Sequence, residues 1–331
     1  MLKQSSLYNL RGKKNLLAFS AGVDSTALFF LLQDENIEFD IAIVNYNRRK
    51  QSLEEVSYAK ELASQNNLTC HTLDAKKITN NFEAQAREIR YDFFNSLIEK
   101  NSYENLLTAH HLGDRFEWML MQFCKGAGCV ELAAMKELEE RENYTLIRPL
   151  LHLDKSELLN YLKLHTIKYF EDESNLDTSI KRNSFRLNHA KPLLQEHLNG
   201  IKKSFKYIDE DIKSISEDIE IFTIDDFAYF KSSNNKRADI TMIDKYLKQQ
   251  LHLASAGERT LLKTKKTVIL GRKFLVNQEH EFVFIIPYIN EDSVMPKEFK
   301  EECRVLQIDP KLRPYLYKNK KVFQKVRVLL N

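Results

Sequence analysis

The sequence feature that most restricts the fold is an alternation of strand-like and helix-like segments through the first half of the chain. Apolar runs typical of buried strands occur in the order LLAF, FDIAIVNY, LTCHTLD and NLLTA. Helix-like segments separate them: Asp24 to Asp34, Ser52 to Asn66, and Phe82 to Glu99. Because parallel strands are joined by crossover helices, this pattern predicts an α/β fold with a doubly wound, mostly parallel sheet. Ligands of such sheets bind beyond the carboxyl ends of the strands.

The pattern changes near Gly200, and 331 residues are enough for two domains. Six apolar residues recur there at alternating spacings of four and three, which predicts one seam along a long helix. They are Ile201, Phe205, Ile208, Ile212, Ile215 and Ile219. We expect the seam to pack against its own chain, with a homodimer as the alternative. Later runs, TVILGRKFLVN and EFVFIIPYIN, are typical of strands. We therefore predict a first domain over 1–198, then a linker helix and a smaller α+β domain over 199–331.

Composition favours a soluble globular protein, since 43% of residues are hydrophobic and 29% charged. The N-terminal stretch MLKQSSLYNLRGKK is polar and basic, and no apolar segment reaches membrane-spanning length. We therefore expect a cytoplasmic protein without a membrane partner. Four cysteines lack C-x-x-C spacing, which predicts reduced thiols instead of disulfides or a zinc site. They are Cys70, Cys124, Cys129 and Cys303.

The loop SAGVDS, residues 20–25, joins the first predicted strand to the first predicted helix. The unpaired N–H groups of a first helical turn and the helix dipole favour an anion there. Ser20 and Ser25 add hydroxyl groups, and Asp24 could hold a phosphate-bound metal. The loop is neither a Walker A motif nor a dinucleotide fingerprint, because the required lysine and further glycines are missing. An ordinary capped turn remains the alternative, although the position after the first strand favours a phosphate site.

The stretch AHHLGDRFEWML follows the fourth predicted strand. His110, Asp114 and Glu117 are spaced by four and three residues, so a helix beginning here would carry all three on one face. Such a set can bind Mg²⁺, orient an amine or transfer a proton. Acids at the start of a surface helix are the alternative, but that leaves the histidine pair unexplained. We expect Trp118, the single tryptophan, in the core.

Three further motifs each have two interpretations. The helix-like NFEAQAREIRYDFF predicts either a Glu83–Arg87 ion pair or an arginine, such as Arg90, directed at the phosphate edge. KGAG, residues 125–128, predicts a second anion site or a helix C-cap. SNLDTSIKRNSFR predicts phosphate contact or salt bridging by its arginines.

The C-terminal stretch PKLRPYLYKNKKVFQKVRVLLN is strongly basic. Its cations are Lys311, Arg313, Lys318, Lys320, Lys321, Lys325 and Arg327, and its aromatic residues are Tyr315, Tyr317 and Phe323. This composition suits a nucleic-acid backbone with stacked bases. A solvated edge strand protected by lysines is the alternative.

Together these motifs resemble the tRNA(Ile)-lysidine synthases of the PP-loop (N-type) ATP pyrophosphatase superfamily. SAGVDS is similar to the Ser-Gly-Gly-x-Asp-Ser signature of that superfamily. The more specific matches are VNYNRR at 44–49, EAQAREIRY at 83–91, TAHHLGDRFE at 108–117, KGAG at 125–128, RPLL at 148–151 and DESNLDTSIKRNSFR at 172–186. They cover nearly the whole first domain and imply an adenine nucleotide α-hydrolase-like fold. The second domain matches only loosely.

Three positions depart from the family pattern. Ala21 replaces the usual first glycine of the loop, which matters if that position needs a positive φ. Tyr46 stands where the family often has histidine. Gly113 stands where many members have the first of two aspartates, so the acidic role passes to Asp114.

The resemblance implies that Mg²⁺ and ATP are used to adenylate the C2 oxygen of the wobble cytidine in the CAU anticodon of isoleucine tRNA. The ε-amine of L-lysine then displaces AMP. The ATP-binding residues implied are Ser20, Ala21, Gly22, Val23, Asp24 and Ser25, with Asp24 near the metal. His110, Asp114 and Glu117 would position lysine and the base. Arg90 and Arg182 would offset charge on the adenylate, and the C-terminal domain would bind the tRNA.

Three other functions fit these residues less well. A PP-loop tRNA thiolase would need a catalytic cysteine pair, and Cys124 and Cys129 have an unsuitable spacing. An amidating synthetase would need an ammonia source, for which no domain is visible. A non-catalytic nucleotide sensor would not need His110, Asp114 and Glu117 together.

Overall fold

The computed structural model of the protein describes residues 1–47, 51–76, 78, 80–133, 135–171, 181–216, 220–233, 235–278, 281–290 and 294–330. These residues form two compact units, Met1–Asp209 and Glu210–Asn331. The long helix predicted as a linker contributes residues to both units.

The first unit is built on a six-stranded sheet. Its strands are β1 (Asn15–Ala18), β2 (Phe39–Asn45), β3 (Cys70–Asp74), β4 (Asn105–Leu107), β5 (Leu138–Glu140) and β6 (Thr145–Ile147). They lie in the order β3-β2-β1-β4-β6-β5, and all neighbours are parallel except β5 and β6. The four strands expected from the apolar runs are confirmed, as is the mostly parallel sheet.

Helices pack on both faces of this sheet. The helices from the start of the chain to the long α9 are α1 (Gln4–Leu10), α2 (Val23–Asp34), α3 (Gln51–Gln65), α4 (Phe82–Asn101), α5 (Leu112–Phe123), α6 (Cys129–Ala133), α7 (Lys155–Leu164), α8 (Lys181–Phe185) and α9 (Lys191–Ser216). A π-helical segment, Arg186–Ala190, joins α8 to α9. Leu17 of β1 packs in a cluster with α2, α3 and α7, whereas Leu16 packs with Phe94 and Leu97 of α4. Burial on both faces explains why the central strands β1 and β4 contain continuous apolar runs.

The apolar seam of α9 packs against α5 within the first unit. Ile201, Phe205 and Ile208 join Leu112 and Phe116 in one cluster. The rings of Phe205 and Phe116 meet edge to face, with centroids 6.4 Å apart. This confirms that the seam packs on its own chain. Ile219 and the side chain of Ile215 lie outside the described residues.

Arg115 also stabilises the contact between α5 and α9. Its guanidinium lies 4.3 Å above the Phe205 ring and donates two hydrogen bonds to the Asp209 carboxylate. Stacking and a bidentate ion pair on one arginine hold α9 against α5 more specifically than apolar packing alone.

The second unit contains a five-stranded antiparallel sheet with helices on both faces. Its strands are β7 (Phe222–Ile224), β8 (Phe227–Lys231), β9 (Thr267–Leu270), β10 (Phe274–Asn277) and β11 (Phe282–Pro287), in the order β7-β8-β11-β10-β9. Its helices are α10 (Lys236–Gln249), α11 (Ala256–Thr264), α12 (Lys297–Val305), α13 (Arg313–Lys318) and α14 (Lys320–Leu330). Residues of β8 alternate: Ala228 and Phe230 pack under α10 and α11, and Phe227 and Tyr229 under α12, α13 and α14.

The basic C-terminus is helical, so its interpretation as an edge strand is wrong. Val322 and Val326 are buried at the i, i+4 spacing of a helix face. The many lysines around them make this spacing hard to recognise in the sequence. Tyr315 is buried, and Phe323 packs on Phe299 with ring centroids 4.9 Å apart. These two aromatic side chains belong to the core of the unit.

Within the described ranges, none of the helices combines the length and the apolar character needed to cross a lipid bilayer.

Candidate active site at the carboxyl edge of the parallel sheet

Residues 20–25 form a closed turn between β1 and α2. Gly22 is the N-cap, and the first helical hydrogen bond runs from the Thr26 N–H to the Gly22 oxygen at 3.0 Å. The N–H groups before it have no intrahelical acceptor, so the turn offers donors that suit an anion. Ser25 Oγ accepts from the Ser20 N–H at 3.2 Å and lies 3.0 Å from Ser20 Oγ. The two hydroxyls therefore hold the turn in shape before any ligand arrives.

Position 21 has a positive φ, so the alanine found there matters. Ala21 has φ 59° and is fully buried, and its carbonyl accepts from the Phe170 N–H at 2.9 Å. The left-handed region costs an L-residue about 1 kcal/mol relative to glycine. Gly22 has an ordinary φ of −74°, and an added Cβ would lie 3.5 Å from Ser20 Oγ. Its missing side chain is therefore not a requirement of the fold and leaves the turn open to a ligand.

Asp24 has an unsatisfied carboxylate oxygen. Its Oδ1 is buried and accepts no hydrogen bond from the described residues. Lys155 Nζ lies 4.0 Å from Oδ2. A buried oxygen without a donor is costly, and Mg²⁺ commonly uses one or two carboxylates together with substrate phosphates. Asp24 therefore fits a phosphate-bound magnesium ion. In the part of the chain that is described, no three His, Cys, Asp or Glu side chains gather into a metal site made by protein alone.

His111 links this turn to α5 and was missed as a site residue. It is the N-cap of α5, where its Nδ1 accepts from the Gly113 N–H at 2.9 Å and its own N–H donates to Asp114 Oδ2 at 3.1 Å. The proton of a neutral ring therefore sits on Nε2. Nε2 faces both Asp24 Oδ1, at 3.9 Å, and Asp114 Oδ2, at 3.5 Å. The sequence did contain a sign of this role, since two adjacent histidines directly follow a predicted strand.

Gly113 makes the orientation of His111 possible. A Cβ at position 113 would lie 2.6 Å from Cε1 of the His111 ring and 3.0 Å from its Nδ1. The ring would have to move away. The glycine at position 113, where many family members have aspartate, therefore leaves the space that the His111 ring occupies.

His110 does not share a helix face with Asp114 and Glu117, which corrects that expectation. The helix begins at Leu112, so His110 precedes it and its Nδ1 lies 2.9 Å from Thr108 Oγ1. Burial lowers the pKa of His110 to about 4, against the opposing charge of Asp114. His110 is therefore neutral at physiological pH.

An acid–arginine cluster occupies the inner face of α5. Glu117, only 1% exposed, accepts from Arg182 Nε at 2.5 Å and from Arg186 Nε at 2.8 Å. Both Nη2 atoms lie 3.4 Å from Asp114 Oδ1. Arg182 Nη1 also lies 3.6 Å from Glu83 Oε1 of α4. The prediction of salt bridging is confirmed for these arginines, and Arg186 joins the candidate site.

Asp114 is held ionised by this environment. Burial raises the pKa of its carboxyl, but the charges of His111 and His110 when protonated, and of Arg182 and Arg186, outweigh it and keep the pKa below its ordinary value. The cluster thus offers fixed negative charge beside fixed positive charge, which suits a zwitterionic ligand such as an amino acid.

Arg90 lies outside this set of contacts. It is exposed on α4 and hydrogen-bonds the Tyr46 hydroxyl, which donates to the Ala86 carbonyl at 2.9 Å. The tyrosine at position 46 therefore joins the end of β2 to α4 and orients Arg90.

KGAG closes α5 as a C-cap. The N–H groups of Lys125, Gly126 and Ala127 donate to the carbonyls of Gln122 and Phe123, and Gly126 has φ +76°. Because these amides are occupied, the alternative of a second anion site is wrong.

Trp118 is not in the core: it is 42% exposed on α5, so that prediction is wrong. The apolar contacts of α5 are made by Leu112, Phe116, Met119 and Leu120, which face the α9 side. Trp118 falls between that face and the acid–arginine cluster.

Comparisons with known proteins identify the family of this chain. The PP-loop domain family, an ATP-binding domain, matches residues 2–193. The tRNA(Ile)-lysidine synthase of Helicobacter pylori is 42% identical over 95% of this chain and 92% of its own. That of Wolinella succinogenes is 44% identical over 93% of this chain and 94% of its own. The chain belongs to the tRNA(Ile)-lysidine synthase family.

The lysidine synthase relatives cover the second unit as well as the PP-loop domain, which extends the looser resemblance expected for that region. Among solved structures, a U34-tRNA thiolase from Methanococcus maripaludis that carries a [4Fe-4S] cluster matches 66% of this chain and 78% of its own, with a TM-score of 0.52 and 18% identity. At that identity the likeness establishes the fold alone.

Proposed function

We propose that this lysidine synthase family member joins lysine to C2 of the wobble cytidine in the CAU anticodon of isoleucine tRNA. ATP adenylates the C2 oxygen and releases pyrophosphate, and the lysine ε-amine then displaces AMP. The observation that carries the proposal is 42% identity to a lysidine synthase along 95% of the chain. We assign the reaction to the cytoplasm, where tRNA is modified.

The 20–25 turn would bind the ATP phosphates. The N–H groups in the first turn of α2 and the helix dipole would stabilise negative charge, including charge that builds on departing pyrophosphate. Asp24 would hold Mg²⁺, which when bound neutralises the phosphates. Lys155, 4.0 Å from Asp24, adds a cation at the same place.

Asp114 and Glu117 would receive the lysine. Each carboxylate has two oxygens with several acceptor directions, so an ammonium can bind beside the arginines. Arg182 and Arg186 would meet the lysine carboxylate or the adenylate phosphate as bidentate donors. His110, neutral at physiological pH, would contact the base without adding charge. Arg90, on α4, would offset the negative charge of the adenylate.

The second unit would contact the tRNA through its basic C-terminal helices. Lys318, Lys320 and Lys321 are exposed there. Exposed lysines on a helical surface neutralise RNA phosphates without reading sequence. A homodimer through the α9 seam has no support, because Phe205 and its neighbours are packed on α5.

A thiolase activity is less well supported. Cys70 lies on β3, Cys124 directly follows α5, Cys129 begins α6, and Cys303 belongs to the second unit. Within the described residues these thiols form no group that could hold a cluster.

The deciding experiment incubates the purified protein with ATP, labelled lysine and transcripts of isoleucine tRNA carrying CAU or GAU. We expect lysine-dependent labelling of the CAU transcript and AMP release. Equal labelling of both transcripts, or none, would refute the proposal.

A further inference from the structure

Trp118 is a large apolar side chain exposed beside the acid–arginine cluster. It is the single tryptophan of the chain, and 42% of it is exposed on α5. A half-exposed indole next to a binding site is more informative than scattered surface leucines, because aromatic residues are enriched where partners bind.

The helix geometry directs Trp118 to the same side as Asp114. Residues of an α-helix turn by about 100° each, so Trp118 is about 40° from Asp114 around the axis and one turn further along. Phe123 is also exposed, by 65%, but is about 180° from Asp114 by the same count. The two exposed aromatic residues of α5 therefore face in different directions.

Exposed cations lie on the elements next to this side of the site. Arg87 and Arg90 are exposed on α4, whose first turn contacts Arg182 through Glu83. Lys125 is exposed just beyond α5. An exposed aromatic side chain with exposed cations on neighbouring elements suits an unpaired nucleotide, which offers a π surface and a phosphate.

We propose that Trp118 stacks on an unpaired base of the tRNA anticodon loop next to the cytidine that is modified. The proposal rests on the proposed function. Splaying a loop base onto an aromatic ring compensates for the stacking that the target base loses when it enters the pocket. Trp118 would thereby hold the loop so that the cytidine reaches Asp114 and its arginines.

The single tryptophan makes the contact directly observable. Titration of the full-length protein with an RNA stem-loop carrying the CAU anticodon should quench the Trp118 emission to saturation. A blunt RNA duplex of equal charge should quench it weakly, since its bases are already stacked. Quenching that is equal for loop and duplex would overturn the proposal.

Matched variants separate stacking from general damage to α5. Trp118→Ala should weaken stem-loop binding by about 10-fold, and Trp118→Phe should restore most of it. Phe123→Ala, on the opposite side of the same helix, should bind like the wild type. The KM values for ATP and lysine should not change in any of these variants.

Two results would refute the role of Trp118. One is Trp118→Ala with wild-type stem-loop affinity, in a protein that makes lysidine. The other is a change of oligomeric mass by light scattering in Trp118→Ala with unchanged RNA affinity, which would assign the indole to a contact between copies. Failure of the wild type to make lysidine, tested separately, would refute the proposed function instead.

Discussion

His111 Nε2 lies 3.9 Å from Asp24 Oδ1, across the gap between the N-termini of α5 and α2. One imidazole therefore faces both the proposed phosphate turn and Asp114 of the acid–arginine cluster. The relationship predicts that the two halves of the site respond together when His111 moves.

Removing the charge of Asp24 should abolish adenylation. Asp24→Asn keeps the side-chain size but loses the carboxylate that would hold the metal, so the melting temperature should stay within a few degrees. Pyrophosphate release measures the effect. Asp34→Asn, at the far end of α2, is the matched control and should adenylate normally. Wild-type turnover in Asp24→Asn would remove this residue from the site.

Displacing the His111 ring should impair turnover without unfolding the protein. His111→Asn keeps an N-cap acceptor for α5 but loses Nε2. Gly113→Ala keeps the histidine and pushes its ring away, since the new Cβ would lie 2.6 Å from it. We expect both variants to lower kcat by about 10-fold or more, with stability changes of about 1 kcal/mol or less. If Gly113→Ala is fully active, the ring position does not matter.

Neutralising Glu117 or Asp114 should raise the KM for lysine. Glu117→Gln or Asp114→Asn removes a charge that pairs with an ammonium in a largely dry pocket. Glu83→Gln is the control, because Glu83 is exposed and also contacts Arg182. Steady-state kinetics with varied lysine, alongside pyrophosphate release, separates lysine binding from adenylation. Normal lysine KM and rate in both variants would mean that lysine binds elsewhere.

Acid should destabilise the wild type through His110. The unfolded chain binds a proton near the ordinary pKa of 6.5, but the folded protein resists protonation of His110 until about 4. Between these values the unfolded state binds more protons, so stability is complete above the higher value and falls as pH falls. Chemical denaturation measures the free energy of unfolding at each pH. Between neutral and mildly acidic pH, this free energy should fall by on the order of 1 kcal/mol less in His110→Gln than in the wild type. If the free energy of unfolding changes with pH in the same way in both proteins, protonation of His110 is not the cause.

Removing exposed lysines from the second unit should flatten the salt dependence of tRNA binding. In Lys318→Ala, Lys320→Ala and Lys321→Ala combined, the slope of log affinity against log salt should change by roughly one unit per lost phosphate contact. ATP binding should not change, since the phosphate turn belongs to the first unit. Filter binding at several salt concentrations measures the slope, and an unaltered slope would exclude these lysines from the RNA surface.

The sequence by itself determined the parallel sheet and the position of its ligand edge. Short apolar runs such as LLAF are typical of strands buried on both faces, and the helical segments between them are long enough to serve as crossovers. The turn at residues 20–25 and the acids of α5 could be located for the same reason, because local spacing assigns them to the ends of β1 and β4.

Tertiary structure decided which side chains meet. The pairing of Glu117 with Arg186 joins residues 69 positions apart, and a local sequence pattern cannot predict a contact between residues so far apart in the chain. His111 and His110 are adjacent in the chain, yet the start of α5 at Leu112 turns one towards Asp24 and leaves the other on Thr108. Trp118 looked apolar enough for a core, but which face of α5 is buried depends on where α9 packs. These outcomes follow from long-range packing, which composition and periodicity do not contain.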